Sequence, residues 1–285
     1  MKFETKLKHA IEKAESPLCI GLDPQLSRLP DVIKEQYNTP AEQVFEFCRQ
    51  VIMTTHHRAA AYKPNLAFFE ALGPQGLEVF SELLSHIPKH IVVIADAKRG
   101  DISTTAEHYK KAFFEQMEVD AITLNPLMGL ETLEAFGDDA SKAVYALALT
   151  SNPGAHDFLL KPIEGFKSLA AYIAFRLEKE SSKMATHLGM VIGATQSHIA
   201  QDVLYNHPHA SLLIPGFGAQ GGHIQDLALL LKSHKGLPLI NSSRGILYDA
   251  AEASNSEQSS WLDRVLLRTE AACNALHPIY QQIAV

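Results

Sequence analysis

Eight short apolar runs recur along the chain, at residues 18–22, 59–63, 91–95, 121–124, 144–149, 188–192, 211–214 and 237–240. None alternates strictly between apolar and polar positions, so each is predicted as a β-strand buried on both faces, as parallel strands are. Between them the apolar spacing widens to three or four residues, which predicts amphipathic helices at 75–84, 104–116, 168–180 and 224–231. Thr104 and Glu107 have the spacing of a capping box, with Ser103 as the other candidate cap. Eight strands alternating with helices predict an α/β fold, a single (β/α)8 TIM barrel, with an open doubly wound sheet as the alternative. Two stretches break the rhythm. Residues 23–40 read as a proline-bearing loop with one helical turn, and 250–260 as a polar, serine-rich surface loop. No linker or longer repeat divides the chain, so residues 1–285 are expected to form one domain.

Composition narrows the class. The 285 residues are 46% hydrophobic and 20% charged, enough apolar content for a large core and too much for a disordered chain. Twenty-five basic against 32 acidic residues leave a net charge of −7 without a basic run, which argues against a nucleic-acid partner. An anionic substrate remains compatible, because a few placed cations suffice locally. Cys19, Cys48 and Cys273 are odd in number and far apart, and read as reduced thiols. No signal-peptide core is apparent, and no apolar run approaches the roughly 20 residues of a membrane span. A cytoplasmic protein without a membrane partner is expected. The paired histidines His56–His57, His86/His90 and His207/His209 fall in helical or turn segments, so no metal is expected there.

In a barrel, catalytic groups gather where the strands run out at the C-terminal face. There the chain places Asp23, then Lys63 and Asn65, then Asp96, Lys98 and Asp101, then Asn125, then Thr150, Ser151 and Asn152, then Thr195. Capping and turn formation explain Asn125, Asn152 and Thr195 as readily as function does. They do not explain Lys63, Asp96 and Lys98, because a charge set directly on an apolar strand has to be paired. Within Ile94-Ala95-Asp96-Ala97-Lys98-Arg99-Gly100-Asp101, the two-residue period puts Asp96 and Lys98 on one face. Two carboxylates flanking Lys98 would keep its ammonium charged and fixed. At about 3 Å and an effective dielectric near 20, such a charge stabilises a developing anion by roughly 5 kcal/mol, and it can hand over a proton. A buried salt-bridge cluster is the bland alternative. A Schiff-base lysine is disfavoured, since nearby carboxylates hold the pKa up.

Gly216, Gly218 and Gly221 satisfy a dinucleotide fingerprint by spacing, but they lie late in the chain and no acid ends the next strand. With Arg244 after strand eight they fit a barrel phosphate site better, where backbone N–H groups and a guanidinium fork hold the anion. A tight turn is the alternative for the glycines.

The segment Asp96-x-Lys98-x-x-Asp101-Ile102 resembles the signature of the orotidine 5′-phosphate decarboxylases. An ordered set around it is similar to their longer bacterial branch: Gly21-Leu22-Asp23-Pro24, Lys63-Pro64-Asn65, Leu124-Asn125-Pro126, Thr150-Ser151-Asn152-Pro153-Gly154, Gly193-Ala194-Thr195, Pro215-Gly216-Phe217-Gly218-Ala219-Gln220-Gly221 and Asn241-Ser242-Ser243-Arg244-Gly245. The resemblance implies decarboxylation of orotidine 5′-monophosphate to uridine 5′-monophosphate, the last step of de novo UMP synthesis. It implies that Lys98 delivers a proton to C6, that Asp96 lies against the substrate carboxylate, and that Lys63 completes an alternating chain of charges. Asp101 would reach into the site of a second subunit, making a homodimer. Asp23, Lys63 and Thr105 would bind ribose hydroxyls, with Thr105 also from the partner. Ser151 and its neighbours would read the pyrimidine, Gln220 would bridge base and phosphate, and Arg244 would hold the phosphate. Asn65, Asn125, Thr150, Gly221 and Ser243 complete the implied binding set. The family's chemistry implies no metal and no organic cofactor. One departure is Leu127, where the resemblance leads one to expect a tyrosine. A magnesium-dependent sugar-phosphate lyase is the nearest rival, but it needs an acid where this chain has Lys63. A non-catalytic nucleotide-binding barrel leaves the carboxylates around Lys98 without a purpose.

Overall fold

A strand with no polar face has to be covered on both sides, and a closed barrel wrapped in helices does this without leaving an edge. The computed structural model describes residues 1–193, 197–216, 224–232, 234–248 and 260–283. Its strands are Leu18–Leu22 (β1), Ala61–Pro64 (β2), Val92–Arg99 (β3), Ala121–Leu124 (β4), Ala143–Leu149 (β5), His187–Ile192 (β6), Leu212–Pro215 (β7) and Pro238–Ser242 (β8). They pair in parallel, in chain order, and β8 returns to β1 to close the barrel. The open-sheet alternative is therefore set aside.

Alternate side chains serve two cores. Leu18, Ile20 and Leu22 of β1 pack against the helices, whereas Cys19 joins Ala61, Val92, Ile94, Ala121, Tyr145 and Leu213 inside the barrel. The helix Phe3–Ala14 turns Phe3, Leu7, Ala10 and Ile11 onto the same inner cluster. Phe3 meets Tyr145 edge-on at 6.3 Å and stacks on His187 at 5.6 Å, so this helix plugs the N-terminal mouth. The polar strand ends lie at the opposite mouth. All three cysteines are buried and free. Among the described residues, no helix is long and apolar enough to cross a membrane.

The predicted helices are present at Pro74–Ser85, Leu169–Ser181 and Ile224–Leu231. The one expected over 104–116 divides into an α-helix, Ser103–Lys110, and a wider π-helical turn, Lys111–Gln116. The expected capping box does not form there. The helix starts at Ser103, with φ at +51°, and its N-cap Ile102 offers no side-chain acceptor. The Asp101 carboxylate instead accepts the Ile102 N–H at 2.9 Å. A capping box does form at Thr39 and Glu42, with Pro40 opening the helix Pro40–Thr55. The stretch 23–40 is more ordered than its prolines suggest. It holds a 3₁₀ turn, Leu26–Arg28, and a short helix, Asp31–Gln36, anchored by buried Ile33. Of 250–260, all but Ser260 lies outside the described residues.

At the upper end of β1, Gly21 faces β8 so closely that a Cβ would lie 1.8 Å from Ser243 Oγ and 2.8 Å from Ser243 Cβ. Glycine is needed there for close approach rather than for a turn. Gly21→Ala is expected to destabilise the fold by about 1–3 kcal/mol in urea denaturation, the usual cost of overpacking. An unchanged midpoint would show that Ser243 can move aside.

Candidate active site

The polar strand ends converge on one carboxylate. Asp96 Oδ2 accepts from Lys63 Nζ at 2.7 Å, while Oδ1 accepts from Lys98 Nζ at 2.5 Å and from Thr123 Oγ1 at 3.0 Å. Burial on its own would raise the Asp96 pKa, but the two ammonium groups outweigh it and hold the carboxyl well below the usual range. Burial likewise works against the Lys63 charge. The carboxylates of Asp96 and then Asp23 overcome it, and the Lys63 pKa ends above its ordinary value. The two lysines differ in access: the Lys63 side chain is 6% exposed and that of Lys98 51%, so Lys98 is the ammonium more accessible to solvent.

Two details differ from the reading of the sequence. Asp96 and Lys98 do meet, but not across a regular pleat. Between Ala95 and Arg99, β3 bulges against the shorter step from Ile122 to Leu124 of β4. Lys98 adopts a left-handed φ of +48°, and its N–H is caught by Thr123 Oγ1 at 3.0 Å. A bulge of this kind re-aims a side chain at the rim of a barrel. The second detail concerns Asp101, the carboxylate that the resemblance assigns to the site of a second subunit. Among the described residues Asp101 makes no ion pair with Lys98, so within one chain two ammonium groups flank one carboxylate. The backbone leaves the strand at Gly100, where a Cβ would lie 2.6 Å from the Asn125 carbonyl oxygen, and runs on to the helix at Ser103.

A cleft at this mouth is lined by Asp23, Lys63, Asn65, Asp96, Ser151, Pro215, Gly216, Asn241, Ser243 and Arg244. Eight of these were expected from the sequence, Gly216 among them, and Lys98 joins them through Asp96. One carboxylate oxygen of Asp23, Oδ1, is buried without a hydrogen-bond partner among the described residues. Arg244 is exposed at the start of the helix Arg244–Leu247 and forms no ion pair among the described residues. Asn65 also caps the helix Leu66–Glu70, its side chain accepting from the Ala67 N–H at 3.3 Å. Asn125 caps the 3₁₀ turn Pro126–Met128 through the Leu127 N–H and does not line the cleft. Thr150 follows β5 but is not on the cleft wall, and Asp101 and Thr105 lie off it in this chain. Gln220, Gly221, Gly218 and Thr195 lie outside the described residues.

Three contributors were given no role of their own in the sequence reading. Thr123 is the one polar side chain in an otherwise apolar β4, a signal that was available. Asn241, inside the barrel, donates to Ser243 Oγ at 3.2 Å and accepts from the Cys19 thiol at 3.6 Å. Burial pushes that thiol up to about 12, so it stays neutral. Tyr248 bonds the backbone of the Asp23 loop, and nothing in the local pattern announces it. Among the described residues, no group of three or more His, Cys, Asp or Glu is arranged to hold a metal ion.

Thr123→Val is expected to strand the Lys98 N–H and one Asp96 lone pair, lowering stability by about 1–3 kcal/mol. Thr123→Ser should recover most of the loss, and equal losses for both would place the effect in packing. The ion pairs also set a pH signature. Asp96 is depressed on folding, so its contribution is present above its unfolded value near 3.9 and fades as pH falls through the lower folded value. Lys63 is raised, so its contribution is complete below about 10.4 and fades as pH rises through the folded value. The stability difference between wild type and Asp96→Asn is therefore expected to be flat from about pH 5 to 9 in urea titrations. A difference that titrates near neutrality contradicts the pairing.

The sequence model of the orotidine 5′-phosphate decarboxylase / HUMPS family matches residues 16–258. A Herpetosiphon aurantiacus protein named orotidine 5′-phosphate decarboxylase is 37% identical over 276 residues, covering 97% of this chain and 100% of its own. One of the same name from Leptospira interrogans is 35% identical over 250 residues, 86% and 87% of the two chains. The solved OMP decarboxylase of Leishmania donovani superposes with a TM-score of 0.80 at 30% identity, over 99% of both chains. With barrel, charge cluster and sequence in agreement, the chain belongs to the orotidine 5′-phosphate decarboxylase / HUMPS family.

Proposed function

We propose that this protein is a carboxy-lyase that converts orotidine 5′-monophosphate to uridine 5′-monophosphate and carbon dioxide. The observation that carries the reading is the Lys63–Asp96–Lys98 cluster, in which Lys63 is buried in the cleft wall and Lys98 is the half-exposed ammonium. In this reading the C6–carboxylate bond breaks, its electron pair stays on C6, and carbon dioxide departs. The Lys98 ammonium faces the resulting carbanion. At about 3 Å and an effective dielectric near 20 it stabilises that charge by roughly 5 kcal/mol. Lys98 then gives its proton to C6 and recovers one from water. Asp96, ionised at every working pH, occupies the side where the substrate carboxylate must sit, so charge repulsion is relieved as the carboxylate leaves. Arg244, with Gln220, Gly221 and Ser243, takes the phosphate. Asp23 and Lys63 take the ribose, and Ser151 reads the base, with Asn65 also on the cleft wall. Binding energy from the remote phosphate is then available to hold the reacting carbon in place. No metal or organic cofactor enters the scheme.

The reading includes a homodimer with Asp101 and Thr105 supplied across the interface. Two observations support it. Asp101 has no lysine partner among the described residues, and the apolar side chains of Ile102, which follows it, and of Leu127 and Met128, just after β4, are exposed. Buried, free thiols suit a reducing cytoplasm.

The direct test is the loss of ultraviolet absorbance from orotidine 5′-monophosphate with EDTA present. Rapid conversion is expected; activity only on a sugar phosphate with added magnesium would move the protein to the sister lyases. Lys98→Ala is expected to cut kcat more than about a thousandfold while UMP binding stays within about tenfold. Mixing Lys98→Ala with Asp101→Asn subunits should restore about a quarter of the sites, since half the dimers are mixed and each owns one intact site. Absence of any recovery tells against the shared site.

A further inference from the structure

The short helix Arg244–Leu247 begins with the exposed arginine of the cleft and is followed at once by Tyr248, whose N–H bonds the Arg244 carbonyl at 3.1 Å. Tyr248 is buried. Its ring lies parallel to Phe47, with centroids 5.9 Å apart, and carries the Arg28 guanidinium 4.3 Å from its own centroid. Its hydroxyl reaches the loop after β1, donating to the Asp23 carbonyl at 3.1 Å and accepting from the Gln25 N–H at 2.6 Å. Pro24, between them, has no N–H to offer. One phenol thus satisfies two backbone groups of the Asp23-Pro24-Gln25 corner. The same corner carries the Asp23 carboxylate, whose buried Oδ1 has no partner among the described residues. A buried acceptor left open costs free energy and stays so only where the surrounding structure holds it. Burial also pushes the Tyr248 pKa up, so the hydroxyl remains a donor throughout the working range.

We infer that Tyr248 is a positioning residue: its hydroxyl fixes the Asp23 corner to the Arg244 helix, so that the ribose-facing carboxylate and the phosphate-facing arginine are held at one spacing. This rests on the nucleotide placement proposed above, with Asp23 at the ribose. Tyr248 touches no reacting atom. Its role is selective, because the Arg244 helix is also anchored by buried Ile246 and Leu247 and by Arg268 Nε donating to the Ile246 carbonyl at 2.8 Å. Loss of the hydroxyl therefore frees the Asp23 corner and with it the ribose hydroxyls, not the phosphate.

Tyr248→Phe keeps the ring on Phe47 and removes only the hydroxyl. Calorimetric binding of UMP and of its 2′- and 3′-deoxy analogues, to wild type, Tyr248→Phe, Asp23→Asn and the double variant, reads the effect. UMP is expected to bind Tyr248→Phe about tenfold more weakly, the scale of one stranded buried hydrogen bond. The deoxy analogue that wild type disfavours should weaken by less than about twofold, and the double variant should match Asp23→Asn within the same margin. KM for orotidine 5′-monophosphate should rise about tenfold with kcat within about threefold. Equal weakening of UMP and both deoxy analogues, or additive losses in the double variant, would reduce Tyr248 to a packing residue and overturn the inference. If wild type itself binds UMP without discriminating against either deoxy analogue, the placement of Asp23 fails first, and the two failures are told apart. A readout without any variant is amide exchange at Gln25 in wild type. Saturating UMP is expected to slow it at least about tenfold, and a rate unmoved by UMP overturns the coupling even if Tyr248→Phe does not fold.

Discussion

A carboxylate buried at the mouth of an apolar barrel needs donors, and Asp96 collects three of them from three strands: Lys63 on β2, Lys98 on its own β3 and Thr123 on β4. Each ammonium is tolerable there only because the carboxylate is, and the carboxylate only because they are. Removing Asp96 would leave Lys63 as an unpaired buried charge. That mutual dependence ties catalytic geometry to fold. The register of β2, β3 and β4 has to bring the three side chains together before the cluster can exist, and the cluster in turn pins those strand ends.

Around this cluster the barrel uses small irregularities to aim side chains. The bulge in β3 and the left-handed Lys98 turn one ammonium outward, while Lys63, on a regular strand end, stays inside. Gly21 lets β8 come close enough for Ser243 and Asn241 to share the inner wall with Cys19. The N-terminal helix fills the other mouth with Phe3 and Leu7. One end is thereby given to packing and the other to charge.

Much of this was legible in the residues. Unbroken apolar runs identified the strands, and two of them, Leu18–Leu22 and Ala121–Leu124, have the same limits in the structure. Charges on strand ends identified Lys63, Asp96 and Lys98 because nothing structural excuses a charge there. What was not legible depended on three-dimensional proximity. A period-two argument has no means of anticipating a bulge, so the route by which Lys98 meets Asp96 was hidden. The spacing of Thr104 and Glu107 fits a capping box, yet Asp101 satisfied the Ile102 N–H first. Tyr248 acts 225 residues away from Asp23, and no local pattern encodes such a contact.

The backbone at Lys98 has a further consequence. A left-handed φ suits glycine without steric cost and burdens any other side chain by about 1 kcal/mol or more. Backbone strain and the proposed chemistry thus pull on position 98 in opposite directions. The backbone alone would favour glycine, which has no ammonium, so the pairing with Asp96 and the demands of the proposed reaction are what keep a lysine in a conformation that does not suit it.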